Sequence, residues 1–225
     1  MQKWLFRILP ALMLLTGFGL LFYPRISDYV NRLHSSKAVQ DLKDQVSSME
    51  SGLLSQQLQL AQNYNTALDR SGFSTQIPEG YHRILDFGNG IMGYISIPDI
   101  GVMLPIYHGV GPEALQKGVG HMPQTSFPIG GAGNHCVLTG HTGLPSARLF
   151  TDLSKLEPGD RFCITVGSQT LTYRVDQITV VTPTDIQALL PQDGKDYCTL
   201  VTCTPYGINS HRLLVRGCRI EAETP

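Results

Sequence analysis

The stretch TLVTCTPYGINSHRLLVRG, residues 199–217, carries an apolar, β-branched segment into a cysteine, breaks at Pro-Tyr-Gly, and resumes as a second apolar segment opening with His211 and Arg212. Apolar segments on either side of a turn rich in proline and glycine read as a hairpin, with strands over 197–203 and 211–220 joined by residues 204–210. Antiparallel pairing of those strands sets Cys203 opposite Arg212 at the end of the hairpin. Alternation places Thr199, Val201 and Cys203 on one face. An apolar strand also accommodates an inert core cysteine, so Cys203 by itself reads equally well as structural or reactive.

Outward from this hairpin the pattern repeats. Short β-like runs punctuated by glycine and proline follow one another from Ile77: GIMGYISIPDI (90–100), VMLPIYHG (102–109), HCVLTGH (135–141), RFCITV (161–166), LTYRVDQITVV (171–181), DYCTLVTC (196–203) and RLLVRGCRI (212–220). Seven or eight strands at this spacing predict a mainly β domain over 77–221, a closed barrel or a sandwich. Helical signals within it are brief, around Pro112–Lys117 and Thr184–Leu190.

The N-terminal third is different. Lys3 and Arg7 precede an apolar run from Ile8 to Tyr23, sixteen residues that Arg7, Trp4 and Tyr23 at the interfaces extend to about 20. A cleaved signal peptide would want a small-x-small site after the apolar core, and only Gly17 and Gly19, inside the run, are on offer. The expectation is an uncleaved transmembrane helix in residues 1–25, with the N-terminus cytoplasmic and the remainder extracellular by the positive-inside rule. Residues 26–76 then form a membrane-proximal helical region and connector. Val39, Leu42, Val46, Met49 and Leu53 recur at spacings of three and four before the phase shifts to Leu54, Leu58 and Ala61, which predicts a helix or helix pair lying on the main domain. Residues 77–225 are the third unit, the β domain. The formal charge of −1 gives no electrostatic reason to expect nucleic acid.

A nucleophilic cysteine needs a proton-transfer partner, and the chain has seven histidines. His141 follows an apolar strand and sits between Gly140 and Thr142, where a strand passes into a loop at the rim of a barrel. His135 shares its parity but reads as a hydrogen-bonded structural histidine, as do His121 and His211. His34 and His82 lie outside the strands and read as solvated.

These residues resemble the sortase family of Gram-positive cysteine transpeptidases. TLVTC, ending at Cys203, is similar to the family's Thr-Leu-x-Thr-Cys signature. LTGH ends at His141, where the family has its catalytic histidine, and INSHRLLVRG carries Arg212, where it has its essential arginine. The three occur in the family's order. Similarity also runs through GIMGYISIPDIGVMLPIYHG, LQKGVGH, TGLPSARLFTDLSKL and TPYGINSHRLLVRG, nearly all of residues 90–220, and is nearest in wording to the class C, pilin-polymerising branch.

The resemblance implies a closed eight-stranded β-barrel with short helices and an enzyme that cleaves a Leu-Pro-x-Thr-Gly sorting signal between Thr and Gly. It implies Cys203 as nucleophile, His141 as general acid and base, and Arg212 as the donor that stabilises the oxyanion or substrate. The implied partners are pilins or other surface proteins with a C-terminal sorting signal, together with an amine acceptor: a pilin lysine or, alternatively, a peptidoglycan precursor. No cofactor or metal is implied; some sortases of another class use calcium, and no acidic cluster here compels it.

Two departures from class C are visible. That branch carries an Asp-Pro-aromatic lid before the barrel, whereas residues 62–80 offer only Asp69 and Phe73 without a stiffening proline, so Cys203 is expected to be open at rest. A second C-terminal membrane segment is also not seen before RIEAETP. A different class of reading, a metal-binding or disulfide-stapled surface module, would draw on His135, Cys136, His141, Cys163, Cys198 and Cys218. No C-x-x-C occurs, and His135 and Cys136 point to opposite faces of one strand. An L,D-transpeptidase would place cysteine and arginine within six residues, and here they are nine apart.

Overall fold

The computed structural model of the 225-residue chain describes residues 2–68, 77–144 and 147–221, with backbone alone for residues 2–8 and 11. Helix α1 runs without interruption from Gln2 to Ser48 and α2 from Ser51 to Ala67. Eight strands follow: β1 (Ile91–Ile97), β2 (Val102–His108), β3 (Val119–His121), β4 (Asn134–Thr139), β5 (Arg161–Val166), β6 (Gln169–Val181), β7 (Asp196–Thr204) and β8 (His211–Ile220). Helix α3 spans Pro112–Lys117, between β2 and β3, and a 3-10 turn covers Gln187–Leu189.

The strands close on themselves in the order β1-β2-β3-β4-β7-β8-β6-β5. Closure decides between the two architectures open to the sequence, and it leaves no exposed sheet edge. All pairings are antiparallel except β2 with β3 and β4 with β7. The three-residue β3 was not among the apolar runs. It is too short, and centred on glycine, to have a period of its own, and becomes a strand only because β2 and β4 supply its hydrogen bonds. A Cβ at Gly120 would stand 2.4 Å from the carbonyl oxygen of Gly109, so only glycine allows that approach.

Alternation fills the barrel. Ile95, Ile97, Ile106, Leu138, Phe162, Ile164, Leu200 and Val215 are fully buried in one core cluster. The helical stripe packs against it: Val39, Leu42 and Ala61 are buried, and Val46, Met49, Leu54 and Leu58 rest on the core, whereas Leu53 is exposed. Helix α2 is bonded to the β3–β4 connection by a reciprocal pair, Phe127 N to Asn65 Oδ1 at 2.7 Å and Asn65 Nδ2 to Phe127 O at 3.2 Å.

The expected membrane span is not established by α1 itself, since among the described residues no helix is long and apolar enough to cross a membrane. The run of residues 8–23 rises only about 24 Å, short of a hydrocarbon core of about 30 Å. The side chains of Lys3, Trp4, Arg7 and Ile8, which bear on that reading, lie outside the described residues. The large apolar side chains from Leu9 to Tyr23 are exposed.

Candidate active site

Strands β4 and β7 run parallel, and their last in-register pair is Thr139 with Val201. His141 and Cys203 each lie two residues further along. The alignment persists past the ladder: Gly140 N donates to Val201 O at 3.0 Å, and Thr202 Oγ1 donates to Gly140 O at 2.7 Å while lying 3.0 Å from Thr142 Oγ1. The residues on both sides of His141 are thereby tied to the residue preceding Cys203. On the other side of β7, Cys203 pairs with Arg212 and Thr204 with His211, the register expected from the hairpin. All three candidate residues therefore stand at one rim of the barrel.

They also share a face. Cys198 and Leu200 point into the barrel core, as do Leu138, Leu213 and Val215. Val137, Val201 and Leu214 instead join Leu189 in a second apolar cluster on the outer surface of the same strands, with Met122, Val181 and Ala188 against it. By period-2 alternation Cys203, His141 and Arg212 belong with the second set. Cys203 is thus not a core cysteine; it is half-buried at the end of an outer apolar floor, and His141 and Arg212 are half-buried with it. Arg212 Nη1 donates to Asn209 O at 3.1 Å and to His211 O at 3.0 Å, so the turn fixes the guanidinium beside the thiol strand.

Two glycines near His141 are demanded by close packing. A Cβ on Gly140 would meet the buried Phe150 ring at 2.7 Å. Gly143 has φ +75°, and a Cβ there would strike the ring of Tyr206 at 2.7 Å. Tyr206, from the β7–β8 turn, therefore lies across the loop that follows His141, with its ring exposed. Thr202, Gly140, Gly143 and Tyr206 were not singled out from the sequence. Glycines on either side of a candidate histidine were the available signal.

Five of the six remaining histidines sort by environment. His135 is buried on the outer face: its Nδ1–H donates to Leu190 O (3.1 Å), which leaves Nε2 to accept from the Thr199 hydroxyl (2.7 Å), and burial pushes its pKa down to about 4. His121 is fully buried, stacked on Tyr81 and Phe127 and bonded to Tyr81 Oη and Ser126 O. Both are structural, as expected. His211 differs from its expectation: it shares the inward parity of Leu213 and Val215 but stands at the first position of β8, beyond the packed core, where it is exposed and its ring contacts the adjacent Ser210 hydroxyl. His34 and His82 are exposed.

Cys136 and Cys198 are in-register neighbours inside the barrel, and all five cysteines are free thiols. Among the described residues no cluster of three or more His, Cys, Asp or Glu is arranged to hold a metal ion. The lid candidates Asp69 and Phe73 lie outside the described residues.

A half-exposed thiol, an imidazole on the adjacent strand end and a guanidinium across the hairpin lie on one face, the residue types that nucleophilic acyl transfer calls for. Known proteins resemble the chain over most of the barrel. Residues 95–220 match the Sortase domain family. A sortase A of Streptococcus agalactiae is 35% identical over 117 residues, which cover 51% of this chain and 47% of that protein, so the match spans about half the length of that relative. The solved structure of sortase C1 from Streptococcus agalactiae superposes with a TM-score of 0.79 at 44% identity, covering 83% of this chain and 100% of the other. A pilus-related sortase C of Group B Streptococcus gives a TM-score of 0.76 at 42% identity, covering 82% and 97%. With a family match across more than half of its length and the barrel of its structural neighbours, the chain belongs to the sortase family of cysteine transpeptidases.

Proposed function

We propose that this protein cleaves a Leu-Pro-x-Thr-Gly-type sorting signal between Thr and Gly and passes the acyl group to an amine, a pilin lysine, in pilus assembly. The observation that carries this reading is the convergence of Cys203, His141 and Arg212 on one outer rim. The similarity to a pilus-related sortase supports the choice of pilin over a peptidoglycan precursor as acceptor.

In the first half-reaction the Cys203 thiolate attacks the Thr carbonyl carbon. Charge collects on the carbonyl oxygen, where the permanently charged Arg212 fork stabilises it. Collapse breaks the C–N bond, and His141 gives a proton to the departing glycine amine, leaving a thioester on Cys203. In the second, the acceptor amine attacks the thioester, His141 takes its proton, and the thiolate leaves. One imidazole serves both directions because an imidazole ring can both give and take a proton in the neutral range.

The anchor belongs to the same reading. Leu12, Met13, Leu14, Leu15, Phe18, Leu20, Leu21 and Phe22 present apolar surface around α1 with no protein against it, and the helix continues unbroken into the segment that packs on the barrel. A single-pass membrane helix with a cytoplasmic N-terminus would hold the catalytic rim outside the cell, where sorting signals emerge.

The test is to incubate the full chain in detergent micelles with a Leu-Pro-x-Thr-Gly peptide and read its intact mass. A thioester adduct that resolves onto a lysine-bearing pilin peptide is expected. An adduct that resolves only onto a peptidoglycan stem peptide would reassign the acceptor, and no adduct at all would overturn the reading.

A further inference from the structure

We propose that Asp28, on α1, is a positioning residue for His141, so that the helix leading from the anchor sets the geometry of the catalytic loop. This rests on the acid-base role proposed for His141.

The loop after β4 returns to the barrel at Phe150, whose N–H donates to the carbonyl oxygen of His141 itself at 3.1 Å, while Thr142 Oγ1 donates to Phe150 O at 3.3 Å. The Phe150 ring is fully buried and packs where a Cβ on Gly140 would be. Any movement of Phe150 is therefore passed to the residues on both sides of the His141 peptide. Leu149, just before it, has φ +38°, in the left-handed region that a branched side chain enters only when its surroundings impose it.

What imposes it lies on either side. Thr151 N donates to Arg148 O at 2.7 Å, which closes the turn, and Arg148 N donates to Asp28 Oδ1 at 2.9 Å. The Asp28 bond spans 120 residues of sequence and ties α1 directly to this loop. Beside the bond lies a cleft of about 270 Å³, lined in part by Asn31, Arg32, Ser35 and Asp152. The charged groups around it are Arg32, 3.3 Å from Asp28, and the Arg148–Asp152–Lys155 chain. Arg32 is 67% exposed, so its ion pair with Asp28 contributes little, whereas the Asp28 carboxylate is only 13% exposed on the side that meets the loop.

The experiment compares the full chain in detergent micelles with D28A, D28N, R32A and H141A, reading transpeptidation of a Leu-Pro-x-Thr-Gly peptide, amide exchange over residues 147–152, and thermal unfolding. In D28A, exchange at Arg148 and Phe150 should rise and kcat should fall roughly 3- to 10-fold with KM little changed, the scale of one lost hydrogen bond. D28N keeps an acceptor oxygen and should restore both, and R32A should behave as wild type. Unchanged exchange or unchanged kcat in D28A would overturn the proposal, as would an R32A loss equal to that of D28A or a failure of D28N to recover. Full turnover by H141A would instead remove the role assigned to His141, an outcome distinct from all of these.

Discussion

The hydroxyl of Thr202 donates to the carbonyl oxygen of Gly140 across 2.7 Å, joining the residue before Cys203 to the residue before His141 just past the end of the β4–β7 ladder. Thr202 is buried, so Thr202→Val leaves the Gly140 carbonyl without that donor at little change in volume. The expected cost is about 1–3 kcal/mol of stability, together with slower thioester formation, and Thr202→Ser should recover most of both. Denaturant unfolding and initial rates on the three proteins check this; a Val variant indistinguishable from wild type would show that the contact holds nothing in place.

The thiols should separate by reactivity. Cys203 is half-buried on the outer rim, whereas Cys136 and Cys198 are enclosed in the barrel, where burial pushes the Cys198 thiol well above its ordinary range. Iodoacetamide at low excess should label Cys203 first and Cys136 and Cys198 only on unfolding, with the peptide substrate slowing labelling. Cys203→Ala should abolish the acyl adduct, while Cys163→Ala and Cys218→Ala keep it. Peptide mapping after alkylation reads the order, and an adduct surviving without Cys203 would end the proposed mechanism.

At Arg212 charge alone should not suffice. The guanidinium already bonds two carbonyl oxygens of its turn through Nη1, so it can hold its place and still offer its other N–H groups to an oxyanion. A lysine ammonium is a mobile point charge and cannot do both. Arg212→Lys is expected to lower kcat by at least about ten-fold with the fold intact. Near-normal turnover in a steady-state assay would take Arg212 out of the oxyanion role.

Acid should weaken the protein partly through His135. Its pKa falls from about 6.5 when unfolded to about 4 in the folded chain because burial opposes the charged form. Below pH 6.5 the unfolded state binds the proton first, so this stability is fully present at neutral pH and drains away as pH drops from about 6.5 to 4. The scale is about 3 kcal/mol. Replacing His135 with Gln should flatten that part of the stability-against-pH curve; an unchanged slope from denaturant melts between pH 7 and 4.5 would show that the folded chain protonates His135 as readily as the unfolded one.

Much of this was legible in the residues. The hairpin register that faces Cys203 with Arg212 follows from alternation and a Pro-Tyr-Gly break, and seven of the eight strands announce themselves as apolar runs because each buries one face over at least six residues. The amphipathic stripe from Val39 to Ala61 likewise foretold which side of the helices meets the barrel. β3 escaped because three residues have no measurable period. His211, one residue from Arg212, escaped because a strand end gives no sign of whether a neighbouring layer covers it.

By itself the sequence determined the local order: strands where period-2 apolarity lasts, turns where glycine and proline interrupt it, and three candidate site residues placed at strand ends. Only the tertiary structure decided that the sheet closes, that β4 and β7 lie side by side in parallel, and that Cys203 is on the outer face rather than in the core. It alone brought Asp28 to Arg148 and Thr202 to Gly140. The physical reason is range: alternation and turn preference act between neighbours along the chain, while strand order and such contacts are fixed by closing the ladder and burying one shared core, which no local segment encodes.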